Sequence, residues 1–238
     1  MPRGTLSLSG RNSKPLSTLS PMHEKMICGV DEAGRGPVLG PMVVCAVAVE
    51  SDASLISLGV RDSKKLTPKK REELAPKIRK LAMVELIEVP AAEIDLRDCS
   101  LNVLEADVFA RLIDRFSPEV AYVDAADTSE EQFAKMIKAK LKCKPRIVSE
   151  HKADDTYPVV SAASIVAKVT RDSRIKEIEK ELGEPIGSGY MTDPITTNFL
   201  EHYVSKHKCC PPHTRMSWEP AKNLMMLNSL RKLDTFEG

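Results

Sequence analysis

The sequence has no apolar run approaching the roughly 18 residues a membrane span needs. Even "MVVCAVAV", Met42 to Val49, is closed off by Pro41 and Glu50, so no membrane partner is expected. Cys-x-x-Cys spacing is missing too. The six cysteines stand at 28, 45, 99, 143, 209 and 210. Cys28 and Cys45 fall inside apolar, strand-like runs, where a thiol is a small core residue, which points to a reduced, cytoplasmic setting. His202, His207, Cys209, Cys210 and His213 fit no standard zinc finger, and adjacent cysteines are awkward ligands. No internal repeat is present. The first 24 residues hold no acid before Glu24, no amphipathic period and no apolar core, and read as a disordered tail or as a start assigned upstream of Met22 or Met26.

Excess charge of one sign is also lacking. The net charge is +1 over 238 residues, so the molecule as a whole is no polycation. Residues 61 to 80 nevertheless hold nine basic against three acidic side chains, and Lys138, Lys140, Lys142, Lys144 and Arg146 form a second cluster. Such patches can hold phosphates or be solvated helix faces. With 42% hydrophobic and 29% charged residues the chain is globular in composition.

Apolar runs bounded by turn residues predict strands at about 25–31, 41–50, 81–89, 119–124 and 144–149. Thr67-Pro68, Ser100 and the capping box Ser129 to Gln132 open three helices, the first expected to bend or end at Pro76. A long helix is predicted from Val159 to Leu182, stopping at Gly183, with small residues in its first turns that let it lie close to a sheet. Short links favour antiparallel pairing of the first three strands, and helical crossovers favour parallel addition of the fourth and fifth. The expected architecture is a mixed five-stranded α/β sheet flanked by helices. A tail (1–24), a catalytic domain (25–183) and a C-terminal helical extension (184–238), with Trp218 anchoring its last helix, complete the division.

Asp31 and Asp124 both fall at C-terminal strand ends, on strands expected to be neighbours, within reach of one ion. Strict alternation sends Asp31 and Glu32 to opposite faces, so a shared site is expected to need the strand to end there, a turn that Gly34 and Gly36 permit. Asp154 and Asp155 precede the long helix and offer a fourth carboxylate. Gathered acids repel one another, and hard divalent cations, magnesium or manganese rather than zinc, are the natural relief. Gly34-Arg35-Gly36 can form an anion-binding nest, with Arg35 free for a phosphate. A dinucleotide-binding turn is the rival reading, but the spacing to Gly40 is one residue too long and "PMVVCAVAVE" is strand-like where that turn must open a helix.

"GVDEAGRGPVLGP", "DSKKL" (62–66), "YVDAAD", "EHKAD", "YPVVSAASIVAKVTRD", "GSGY" and the "DP" at 193–194 together resemble ribonuclease HII, the type 2 ribonucleases H, especially the archaeal kind, from Ile27 to about Trp218. The resemblance implies a ribonuclease H-like fold and an endonuclease that cuts RNA in RNA/DNA hybrids and at single ribonucleotides embedded in duplex DNA. It implies two divalent cations, Mg2+ or Mn2+, on Asp31, Glu32, Asp124 and Asp154, with 5′-phosphate and 3′-hydroxyl products. Gly34, Arg35 and Gly36 would read the 2′-hydroxyl, the group that separates RNA from DNA. Tyr190 would stack on the adjoining deoxyribose, and Lys64 and Lys65 would touch the duplex backbone. The chain is expected to act as a monomer. It departs from the resemblance at Met191-Thr192, where Pro-Ser is usual, and Asp155 beside Asp154 leaves two candidates for the fourth acid. His151 stays outside the acid set as an isolated, structural histidine. A catalytically silent hybrid-binding module is the alternative from another class.

Overall fold

The computed structural model describes residues 26–60 and 66–234, the last five of these as backbone only. The tail, Lys64 and Lys65 lie outside the described residues. In chain order the elements are β1 (Ile27–Ala33), β2 (Met42–Val49), α1 (Ala53–Ser57), α2 (Pro68–Leu81), β3 (Met83–Val89), α3 (Ala91–Leu96), α4 (Leu101–Phe116), β4 (Val120–Asp124), α5 (Glu130–Lys140), β5 (Arg146–Glu150), α6 (Ala153–Thr156), α7 (Pro158–Leu182), α8 (Pro194–His207) and α9 (Glu219–Asp234).

One five-stranded sheet runs in the order β3-β2-β1-β4-β5. The β1–β2 and β2–β3 pairs are antiparallel, and β4 and β5 add in parallel, the pairing expected, although the β2–β3 pair is not joined by the short link on which that expectation rests. All eight residues of β2 are buried, because the sheet is covered on both faces. Period-two alternation sorts its side chains: Val44, Ala46 and Ala48 pack with α4 and α5, while Val43, Cys45 and Val47 pack with α2 and α7.

Predicted caps are in place. Thr67, Ser100 and Ser129 accept hydrogen bonds from the amides of Lys70, Val103 and Gln132. α7 stops at Gly183, whose φ of 74° is the left-handed conformation that ends helices. Its small first turns sit against β1 so closely that a Cβ on Gly29 would lie 2.2 Å from the Val159 carbonyl carbon.

Three expectations are corrected. α2 continues through Pro76 to Leu81, because Leu74, Ala75 and Ile78 on either side of the proline are held in the core. The link from β2 to β3 is not short, since it carries α1 and α2. Finally, β1 does not end at Asp31; it stays paired with β2 as far as Ala33↔Val43, and a strand rather than a helix follows Gly40, as the rejected dinucleotide turn would not allow.

Beyond α7 the chain forms α8 and α9 around a smaller core with Val38, Leu39, Ile175 and Ile178. The segment is stitched to the loop after β1. The Val38 amide donates to the Gly189 carbonyl at 2.9 Å, the Gly40 amide to His213 at 2.9 Å, and the Arg215 amide to Val38 at 2.8 Å. Trp218 anchors the start of α9, its ring faced by Arg97 and Arg215.

Candidate active site

Parallel pairing of β1 with β4 stops at Val30↔Val123, while β1 runs on beside β2. One further step of that register sets Asp31 opposite Asp124, about one strand spacing away. Because β4 ends at Asp124, the edge of β1 is open just beyond this level, so side chains from both faces of β1 can approach Asp124 around it. Asp31 and Glu32 therefore serve one region without the strand ending between them.

Asp31 points to the α7 face and is 4% exposed. Burial first, then the charge of Asp124 and more weakly of Asp154, lift its pKa from 3.8 to about 7, against a hydrogen bond from Ser164 and the cation of Lys168. Lys168 Nζ donates to Ser164 Oγ at 2.6 Å, so a lysine–serine relay reaches Asp31 from α7. The Glu32 amide also donates to Asp31 Oδ1 at 2.8 Å.

Glu32 faces α4. Its pKa is raised well above the usual carboxylate range by burial, then by Glu105, Asp31 and Asp124, with Arg35 opposing. Its Oε2 is buried with no hydrogen-bond partner, an orphan that calls for a ligand. Asp124 Oδ1 accepts from the Ala153 amide at 2.9 Å, which fixes α6 against the end of β4. Within α6, Asp154 is 1% exposed and Asp155 is exposed, so Asp154 is the acid turned inward toward Asp31.

These four acids form an all-oxygen, under-neutralised set, the chemistry a hard divalent ion relieves. Among the described residues no group of three or more His, Cys, Asp or Glu side chains is placed to hold a metal ion as it stands, so the four acids share one region without forming a preassembled ligand set.

Beside the acids lies a cavity of about 250 Å³ whose walls include Glu32, Gly34, Arg35, Gly36 and Tyr190. It brings Glu32 together with the Gly34–Gly36 turn and Tyr190, while Asp31, Asp124 and Asp154 are not among its walls. Gly34 adopts φ +81°, and a Cβ there would meet Arg171 Nε at 2.6 Å; one on Gly36 would be 3.7 Å from the Tyr190 ring. The Arg35 side chain is already engaged: Nε donates to Glu105 Oε2 at 2.9 Å and Nη2 to Asn102 Oδ1, while Asn102 Nδ2 donates to Asp127 Oδ2 at 2.8 Å. The expectation that its guanidinium is free for a phosphate is corrected on that ground. The turn can still offer backbone groups.

Sequence reasoning missed several residues here. Arg71, Lys168 and Arg171 also line the cavity and supply the cationic wall that Arg35 does not. Ser164, Lys168 and Arg171 recur at helical spacing along one face of α7, whose first turns are otherwise dominated by small and apolar residues, a signal present in the sequence. Glu105 is fully buried within the apolar face of α4, and burial holds its pKa up against the pull of Arg35. The zinc reading finds no support among the described residues: His213 Nε2 pairs with Glu181 at 3.0 Å, and His207 stacks on Tyr203. Outside the site, the His151 amide is held by Glu130.

With this geometry in hand, a family model described as Ribonuclease HII matches residues 28–221. The ribonuclease HII of Methanocella arvoryzae is 50% identical over 198 residues, covering 81% of this chain and 88% of the relative. That of Methanoregula boonei is 46% identical over 213 residues, covering 89% of this chain and all of the relative. The crystal structure of the ribonuclease H2 from Pyrococcus horikoshii OT3 superposes with a TM-score of 0.80 at 42% identity, covering 86% of this chain and 99% of that one.

Proposed function

The chain belongs to the ribonuclease HII family, a family of endoribonucleases that act on RNA/DNA hybrids, and from that membership and its acid cluster we propose that it cuts the RNA strand of such hybrids and nicks duplex DNA 5′ of a single embedded ribonucleotide, leaving 5′-phosphate and 3′-hydroxyl ends. The observation that carries this reading is the closeness of Asp31 to Asp124, one step beyond the last paired position Val30↔Val123, where burial and the Asp124 charge raise the Asp31 pKa to about 7.

Asp31, Glu32, Asp124 and Asp154 would hold two divalent cations, Mg2+ or Mn2+. When bound, such ions activate a water for in-line attack and offset charge on the departing 3′ oxygen. Around them the chain's own groups position the substrate. Lys168, donating to Ser164 and so reaching Asp31, orients that carboxylate and partly offsets the burial and Asp124 charge that raise its pKa. Arg71 and Arg171 face the same cavity as Glu32 and suit the phosphates flanking the scissile bond. The Gly34–Gly36 turn offers main-chain donors to a ribose 2′-hydroxyl, and Tyr190, 36% exposed and backed by the Arg171 guanidinium 5.1 Å from its ring centre, offers a flat face for the adjoining sugar. Lys64 and Lys65 would contact the duplex backbone. The C-terminal extension, from residue 184 onward, completes the substrate site by contributing Tyr190. No helix among the described residues is long and apolar enough to cross a membrane; we take the protein to act as a cytoplasmic monomer.

A nicking assay on duplex DNA carrying one ribonucleotide tests the reading. Cleavage 5′ of the ribonucleotide that requires Mg2+ or Mn2+ and disappears in Asp31→Asn is expected. Tight binding of the same duplex with no cleavage under any divalent ion would favour the silent binding module instead.

A further inference from the structure

Behind the Gly34-Arg35-Gly36 turn lies a charge that neither the acid cluster nor the sequence motifs explain. Arg215, in the loop between α8 and α9, is fully buried, a rare place for an arginine. Among the described residues it forms no ion pair. Its guanidinium instead spans three main-chain carbonyls, with Nε 3.0 Å from the Gly40 oxygen, Nη1 2.8 Å from that of Arg35 and Nη2 2.6 Å from that of Gly34. The Trp218 ring covers it, its centre 5.1 Å away. Burial lowers the proton affinity of Arg215, to a pKa of about 10, which still leaves it charged at neutral pH. Glu105 and Asp95 are near enough to be felt but neither makes a contact ion pair with it, and burying a cation that way is costly, so a compensating purpose is to be sought in what it holds.

What it holds is the orientation of two peptides. No peptide bond among the described residues is cis, and in a trans peptide the N–H points opposite to the C=O. With the carbonyls of Gly34 and Arg35 drawn back onto Arg215, the amide N–H groups of Arg35 and Gly36 face the other way. That is the side on which the turn lines the cavity with Glu32 and Tyr190. From the cavity side Arg171 meets Gly34, so the turn is clamped between two arginines.

We infer that Arg215 is a positioning residue: by gripping the turn from behind it aims the Arg35 and Gly36 amides at a ribose 2′-hydroxyl, and so sets the discrimination of RNA from DNA rather than the strength of duplex binding. The inference rests on the function proposed above. Donors already fixed need no ordering when substrate arrives, which is where their advantage lies. A lysine cannot substitute, since one ammonium on a flexible stem does not reproduce a planar fork spanning three acceptors.

The test compares wild type, Arg215→Lys and Arg215→Met for binding, in EDTA, to an all-DNA duplex and to the same duplex with one ribonucleotide. Wild type should prefer the ribonucleotide duplex, and both variants should lose about tenfold of that preference, as for two neutral hydrogen bonds, with all-DNA affinity unchanged. Amide hydrogen exchange over residues 34–40 should quicken in the variants. Full preference in a folded variant, or equal loss on both duplexes, would overturn the inference. If Arg215→Met does not fold, Arg215→Lys decides. Wild type supplies a check free of substitution: the Arg35 and Gly36 amide resonances must shift with the ribonucleotide duplex and not with DNA alone, and their failure to do so counts against Arg215. Should wild type neither nick nor distinguish the duplexes, the functional reading fails, whereas unchanged exchange over residues 34–40 would refute the grip itself.

Discussion

Without divalent ions, ionising Asp31 at neutral pH should cost the protein stability. Its carboxyl is 4% exposed, and burial plus the Asp124 charge raise its pKa from 3.8 to about 7. A folded-state pKa above the unfolded one means that the native protein holds this proton more tightly. The resulting stabilisation is fully present below about pH 4 and is lost as pH rises through 7. Some three pKa units at roughly 1.4 kcal/mol each give a loss on the order of 4 kcal/mol across that window. Glu32 is shifted in the same direction and adds to it. Asp127, Glu131 and Asp193 are lowered instead, so their opposite effect falls at more acid pH, outside the window. Urea unfolding in EDTA at pH 5 and pH 8 reads the difference. Wild type should lose a few kcal/mol between the two, Asp31→Asn should lose much less and be the more stable at pH 8, and Mn2+ should restore wild type by mass action but not the variant. Wild-type stability that is flat or rises from pH 5 to 8, with no gain in Asp31→Asn, would refute the reasoning.

Asp124→Asn should lower divalent-dependent cleavage on the order of a thousandfold, the loss of several kcal/mol of metal-derived stabilisation, measured as single-turnover rate. Glu105→Gln removes a like charge from beside Glu32 and should lower the Glu32 pKa, visible in a 13C carboxyl titration; an unchanged value would exclude the coupling. Gly29→Ala places a Cβ 2.2 Å from the Val159 backbone, where no side chain can yield. A stability loss of about 3 kcal/mol in thermal or urea unfolding is expected, together with slower cleavage, because α7 carries Ser164 and Lys168.

Much of the sheet was legible because its signals are local. Apolar runs and turn residues place each strand within a few positions, the caps at Thr67, Ser100 and Ser129 are side-chain hydrogen bonds to amides three residues on, and Gly183 ends α7 by its own backbone preference. Asp31 and Asp124 could be paired because strand ends and crossover rules bring them together. Non-local features were hidden. Pro76 promises a break, yet core contacts at Leu74 and Ile78 carry α2 past it. Glu32 joins Asp31 only because β4 stops one residue short of it, a fact of sheet edges rather than of β1. Glu105 lies among apolar helix positions, and nothing in its neighbours announces Arg35, 70 residues earlier. Arg215 is hidden further still, since carbonyl groups 175 to 181 residues away are its partners, and carbonyls leave no mark in a sequence.

The most direct measurement is anomalous diffraction from a crystal soaked in Mn2+. Density for manganese between Asp31 and Asp124, within coordinating distance of Glu32 or Asp154, is the expected result. Manganese bound elsewhere, with these four carboxylates unliganded in a protein that cleaves with Mn2+, would contradict the assignment of the site.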